Sequence, residues 1–96
     1  MHSNVKTMRI KQGYKIREIA GEKIIVIQGK YGEDMTKIVS LNPSAELLVR
    51  ELSGREFEIA DAAGILTDNY EVDYRTAERD ALAWAEKLIE CGIIES

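Results

Sequence analysis

Histidine, cysteine, proline and tryptophan each occur once in this sequence of 96 residues, and this scarcity excludes several kinds of chemistry. Because Cys91 is the single cysteine, no disulfide can form within the chain, which fits a reducing cytoplasm, the compartment we expect. With His2 as the single histidine, neither a nucleophile–base pair nor a Cys/His metal cluster can be assembled. We therefore expect no enzymatic activity, no catalytic residue, no metal and no cofactor.

Long apolar runs are also missing from the sequence. No stretch approaches the roughly 20 residues of a membrane-spanning helix, and no signal peptide opens the chain, so we expect no membrane contact. Positive charge is in deficit, since 13 Lys and Arg residues stand against 17 Asp and Glu residues and the formal net charge is −4. This deficit argues against nucleic acid as a partner, because contacts to phosphate dominate such binding.

The remaining composition is that of an ordinary globular protein, with 45% hydrophobic and 31% charged residues. A chain of this length is expected to form one domain. Residues 1–12 are polar and basic, and we predict a flexible N-terminal segment there. Residues 13–96 are predicted to form the single folded domain.

Three segments in the first half of the domain have the patterns of β-strands. Tyr14 to Ala20 alternates between two faces, Lys23 to Gln28 is a short apolar run, and Thr36 to Leu41 is rich in β-branched residues. Gly21-Glu22 is predicted to be a tight turn, and Gly29 to Asp34 a hairpin loop. The pattern predicts a three-stranded antiparallel sheet.

Three helices are predicted after these strands. Asn42 can cap the first helix, Pro43 suits its first position, and Gly54 can end it. Phe57 to Asn69 and Asp73 to Cys91 have apolar residues at helical spacing. Asp73 can cap the last helix, and Thr76, one turn later, is an alternative cap. The sequence therefore indicates an α+β, winged-helix-like domain in which the sheet precedes the helices.

The last helix carries the clearest apolar stripe. We expect Trp84 to be a core residue of this stripe and Ile93-Ile94 to fold back onto the core beyond it. The predicted stripe consists of Ala77, Ala81, Trp84, Ala85 and Leu88.

Three passages of the sequence carry a resemblance to a known family. Val39 to Ala45 matches the pattern "LN-x-x-A/G", Tyr70 to Asp73 matches "Y-x-V-D", and Arg79 to Ile94 follows "D-V-x-x-F-L-x-x-L-x-x-x-G-L-L". In order and spacing the chain resembles the PqqD-like family over residues 14–94. These domains, named after coenzyme PQQ synthesis protein D, are also called RiPP recognition elements. One departure is that Glu56-Phe57-Glu58 lacks the Ser or Thr that caps the middle helix in the family.

The resemblance implies a peptide-binding function without catalysis. Such domains bind the leader of a ribosomally made precursor peptide by adding it as a strand to a sheet edge, and they present it to a modifying enzyme, often of the radical SAM type. Carried over to this chain, the edge is Lys37, Ile38, Val39, Ser40 and Leu41. The groove wall on the last helix is then predicted to include Arg75, Glu78, Arg79, Leu82 and Glu86.

Two other functions fit parts of the same pattern. A winged-helix domain could bind nucleic acid through its last helix, but acidic residues outnumber basic ones there, and such a helix repels phosphate. A self-associating interaction domain could instead form a homodimer through its edge strands, because an exposed strand edge is a template for pairing.

Overall fold

The computed structural model describes residues 7–28 and 36–95, and these residues form the α+β fold that the sequence predicts. Within them, the strands pair into two antiparallel sheets of three strands each, and three helices complete the domain. In chain order the elements are β1 (Met8–Ile10), β2 (Ile16–Ile19), β3 (Glu22–Gln28), β4 (Thr36–Leu41), α1 (Pro43–Leu52), β5 (Glu56–Phe57), α2 (Ile59–Asn69), α3 (Tyr74–Glu90) and β6 (Ile94–Glu95).

The larger sheet has the strand order β2-β3-β4 and consists of the three strands predicted from the sequence. In its central strand, Ile25 pairs with Ile16 of β2 and with Val39 of β4. Ile24 and Ile25 are both buried although they point to opposite faces, which explains the continuous apolar run of β3. The predicted hairpin loop at residues 29–34 lies outside the described residues.

The smaller sheet, with the order β5-β1-β6, was not predicted from the sequence. Its central strand β1 places Met8 and Ile10 in the core, each only 5% exposed, while Arg9 faces solvent. The predicted domain boundary at residue 13 is therefore too late, because it leaves this packed strand in the segment predicted to be flexible. An alternation of three residues is too short to be recognised as a strand by pattern.

Helix α1 begins and ends at the residues that the sequence indicates. The side-chain oxygen of Asn42 accepts a hydrogen bond from the backbone N–H of Ala45 at 2.8 Å, and Pro43 occupies the first helical position. Gly54 follows the helix with a φ of +84°, a left-handed conformation that favours glycine. The buried face of the helix consists of Leu48, Val49 and Leu52.

Helix α2 begins at Ile59, two residues later than the sequence predicts. Phe57 instead belongs to β5 and is 1% exposed. At the start of the helix, the backbone N–H of Glu58 donates to the carboxylate of Asp61 at 2.8 Å. The N-cap position is Glu58, and this contact with Asp61 caps the helix without the Ser or Thr expected there.

Helix α3 carries the predicted core stripe. Asp73 caps it by accepting a hydrogen bond from the backbone N–H of Thr76 at 2.9 Å. Trp84 is 8% exposed, and its ring centroid lies 5.8 Å from that of Phe57, which confirms its place in the core. Beyond the helix, Ile93 and Ile94 are buried, so the chain folds back onto the core as predicted.

The hairpin that joins β2 and β3 contains a conformationally unfavourable residue. Ile19 pairs with Glu22, so the turn has two residues, Ala20 and Gly21, with φ values of 54° and 83°. Two central residues with positive φ are typical of the hairpin turns in which Asn-Gly is preferred. Alanine is disfavoured there, because its Cβ crowds the following carbonyl oxygen.

We expect Ala20→Asn to raise the free energy of unfolding by about 0.5–1 kcal/mol, because asparagine tolerates the left-handed conformation. Urea denaturation with an unchanged m-value would measure the difference. Ala60→Asn, at an exposed position of α2, is the matched control and should lower stability by about 0.5 kcal/mol. A denaturation midpoint that Ala20→Asn leaves unchanged or lowers would contradict the strain assigned to this turn.

Candidate functional site

A groove of about 370 Å³ separates β4 from α3. Its side chains come from strand β4, the start of α1, helix α2 and one flank of α3. They are Val39, Ser40, Leu41, Asn42, Ser44, Ala45, Leu48, Leu66, Asp80, Ala83, Trp84, Lys87 and Leu88. Most of these residues are apolar, so the groove suits a ligand that presents apolar side chains.

Strand β4 is an edge of the larger sheet within the described part of the chain, where β3 is its one strand neighbour. In an antiparallel pair, alternate residues direct their N–H and C=O groups away from the partner strand. The strand that borders the groove therefore has free backbone donors and acceptors. An extended chain in the groove could form hydrogen bonds with them.

A second cavity of about 370 Å³ extends the groove past Asp80; we call it the linker cavity because it reaches the α2–α3 linker. It shares Asn42, Ser44, Leu66 and Asp80 with the groove and adds Pro43, Tyr70 and Val72. Tyr70 and Val72 are 41% and 38% exposed. The apolar surface of the site thus continues beyond the end of β4.

The predicted edge residues lie partly in the groove. Val39, Ser40 and Leu41 line it. Ile38 is 62% exposed and does not line the groove. Lys37 belongs to β4, where its backbone pairs with Ile27 of β3. Its side chain lies outside the described part of the structure.

The α3 residues predicted for the groove wall do not line the groove. The flank of α3 that faces β4 instead carries Asp80, Ala83, Trp84 and Lys87. A helix turns by about 100° per residue, so the core stripe has one flank on each side, and the apolar pattern does not distinguish them. The residues predicted from the sequence are exposed and lie on the other flank or the solvent face: Arg75, Glu78, Arg79, Leu82 and Glu86. Their role in peptide binding stays a prediction.

Charges of opposite sign stand at two ends of the groove. Asp80 also lines the linker cavity, which places its carboxylate near the end of β4 and the start of α1. Lys87 lies two turns further along α3, about 10 Å away along the helix axis. The groove is therefore polarised along its length, which can orient a ligand with charges of its own.

The described residues contain no cluster of three or more His, Cys, Asp or Glu side chains that could hold a metal ion. No helix in the part of the chain that the structure describes combines the length and the apolar composition of a membrane span. The polar groups of the groove are hydroxyls, an amide, one carboxylate and one ammonium group.

Comparison with known proteins decides the family. The family model of coenzyme PQQ synthesis protein D (PqqD) matches residues 23–94. This chain belongs to the PqqD family. A solved structure of lasso peptide synthetase B1 complexed with the leader peptide is similar to this PqqD-family domain, with a TM-score of 0.67 and 30% sequence identity, and the match covers 93% of this chain and 98% of that one. No curated protein sequence matches the chain.

The cap of α3 should make the stability of this PqqD-family domain depend on pH. The hydroxyl and the backbone N–H of Thr76 hold the pKa of Asp73 below its ordinary value of 3.8. A carboxyl whose pKa is lower in the folded state stabilises the fold fully above its unfolded-state pKa, and the effect is lost as the pH falls through the folded-state pKa. The stabilising effect of the Asp73 carboxylate is thus confined to solutions above this acidic range.

We expect the melting temperature of Asp73→Ala to lie below that of the unmodified chain at neutral pH, and the gap to narrow as the pH falls below 3.8. Asp73→Asn is the matched control, because its amide oxygen can still cap the helix but does not titrate. Melting curves recorded at a series of pH values measure both differences. A gap between Asp73→Ala and the unmodified chain that widens in acid would contradict this cap.

Proposed function

We propose that this chain is a non-catalytic recognition domain that binds the leader of a ribosomally made precursor peptide and presents it to a modifying enzyme. The leader lies in the groove between β4 and α3 and adds a strand to the edge of β4. One observation carries this proposal: a free strand edge borders an apolar groove. Support comes from the similar lasso peptide synthetase B1, whose solved structure contains a leader peptide.

The energetics assign different tasks to the edge and the groove. About four backbone hydrogen bonds to β4 would contribute on the order of 4 kcal/mol to the binding free energy. The loss of translational and rotational freedom on association costs about 4 kcal/mol or more and cancels this contribution. Apolar side chains of the leader must therefore supply the affinity, at roughly 1.5–3 kcal/mol for each one fully buried. The groove and the linker cavity are the surfaces available to bury them.

The charges at the ends of the groove favour one direction of the leader. A basic residue of the leader would be placed near Asp80 and an acidic residue near Lys87. Pairs of this kind at a protein surface contribute at most about 1 kcal/mol each. They orient the peptide and suppress the reversed binding mode, while the apolar side chains determine how tightly the leader binds.

The chemistry is proposed to belong to a separate enzyme, of the radical SAM type or another peptide-modifying class. The groove offers apolar surface and a strand edge, and the single histidine of the chain, His2, lies outside the described residues. A recognition domain raises the local concentration of a tethered substrate at the enzyme, which increases the rate without any catalytic group of its own.

The two flanks of α3 can be compared directly with a pair of charge-matched variants. Ala83→Glu places a carboxylate in the groove, where a bound leader would bury it against apolar side chains, so we expect the affinity to fall at least tenfold. Leu82→Glu adds the same charge at the neighbouring exposed residue outside the groove and should change the affinity less than twofold. Calorimetric titration with leader peptides of precursors encoded beside this gene measures both.

Melting temperatures show whether either variant disturbs the fold. A large loss of affinity for Leu82→Glu, combined with none for Ala83→Glu, would return the binding surface to the flank predicted from the sequence. Equal and small effects of both variants would place the leader away from α3 altogether.

Strand addition has its own signature in amide hydrogen exchange. The N–H groups of β4 that bond to β3 are protected in the free domain, so the leader should slow exchange only at the alternate residues of Ile38–Leu41. We expect at least tenfold slowing at these amides when the leader is saturating. The amides of β2 (Ile16–Ile19), the strand at the opposite edge of the same sheet, are the internal control and should not change.

Protection gained along β2 instead of β4 would contradict the assigned edge. Protection of β4 that rises with protein concentration in the absence of leader would favour a homodimer through the edge strands, and sedimentation would then show a concentration-dependent mass. The leader would have to compete with that dimer for the same edge.

A further inference from the structure

The side chain of Trp84 contains a polar group that has no hydrogen-bond partner in the described part of the free domain. Its ring is 8% exposed, and less than 1 Å² of the indole nitrogen Nε1 is accessible to solvent. No acceptor for this N–H lies among the residues that the structure describes. Buried indole N–H groups normally have a hydrogen-bond partner, so an unpaired one calls for an explanation.

Packing does not explain the indole nitrogen. The ring of Trp84 packs against that of Phe57, with a centroid distance of 5.8 Å and an interplanar angle of 43°. Such an aromatic contact needs a ring but not an N–H group. The donor is the part of Trp84 that the core does not require.

The position of Trp84 links this donor to the groove. Trp84 lines the groove on α3 between Ala83 and Lys87. A strand added to β4 directs alternate carbonyl groups away from β4, and these carbonyls lose water when the peptide enters the groove. They need donors on the α3 side, and the side chains of α3 that line the groove and can donate are Lys87 and Trp84.

We infer that the indole N–H of Trp84 donates a hydrogen bond to a carbonyl oxygen of the bound leader and so helps to select the leader. This inference rests on the proposed function. Because Nε1 is covered in the free domain, the side chains at the rim of the groove must shift when the leader binds and uncover it. The ligand class is an extended peptide with an unpaired backbone or side-chain carbonyl opposite Trp84.

A single resonance reports on this hydrogen bond. Trp84 is the one tryptophan of the chain, so its indole proton is identified at once in a ¹H–¹⁵N spectrum. Titration with synthetic leaders of the precursors encoded beside this gene should move that proton downfield and slow its exchange with water, together with shifts of the Ile38–Leu41 amides. An unmoved indole signal alongside shifted β4 amides would overturn the inference and leave the proposed function intact. No shift at either place would overturn both.

An isosteric replacement separates the N–H from the ring. Replacing Trp84 by β-(3-benzothienyl)alanine keeps the bicyclic shape and removes the donor, and we expect a three- to tenfold weaker affinity for the leader. The melting temperature should stay equal or rise, because a buried unpaired group disappears. Tyr74→Phe, which removes an exposed hydroxyl outside the groove, is the control and should bind normally.

Trp84→Phe gives a second measurement with natural residues. If Trp84→Phe weakens binding while the benzothienyl variant binds normally, ring size is responsible and the inferred hydrogen bond is overturned. If both bind three- to tenfold more weakly at an unchanged melting temperature, the donor is responsible.

Discussion

Strand β4 has one hydrogen-bonded strand neighbour within the described residues, and the function proposed for this domain depends on that constraint. The chain leaves β4 at Leu41 and enters α1 at once, because Asn42 caps the helix and Pro43 begins it. Alternate backbone groups of β4 are therefore directed away from β3. A free edge of this kind tends to acquire a partner strand, and α3 beside it limits the partner to a narrow, extended chain.

Helix α3 builds the core and the groove with adjoining faces. Ala83 is small, so it leaves room between the helix and β4, whereas Trp84 next to it both packs on Phe57 and borders the groove. Stability and the proposed recognition of the leader are thus coupled at one residue. Truncating Trp84 would create a cavity in the core as well as change the site, which is why only a replacement of the same shape can assign a binding role to its nitrogen.

The sequence predicts those parts of the fold that local signals determine. The caps at Asn42 and Asp73 and the periodic stripe of α3 are local, so the predicted starts of α1 and α3 are confirmed. Strands β1, β5 and β6 have two or three residues each and depend on distant pairings, such as Met8 with Phe57, that no local pattern encodes. The β4 strand that borders the groove could be predicted from its local pattern. The flank of α3 that lines the groove could not, because it depends on how that helix lies against β4.

Among the described residues, the outer edge of β4 and the N–H of Trp84 have no partner within the free domain. The buried N–H raises the free energy of the domain relative to a fold in which it is paired. A ligand that pairs with the edge of β4 and with the N–H of Trp84 binds only the folded state and therefore stabilises it. A peptide that pairs with neither group has little affinity for the domain. The contact with the ring of Phe57 needs the aromatic ring of Trp84 but not its N–H group. The indole nitrogen is therefore better explained by the hydrogen bond inferred to the leader than by the core, and the affinity that this bond would add depends on where the peptide places its carbonyl groups.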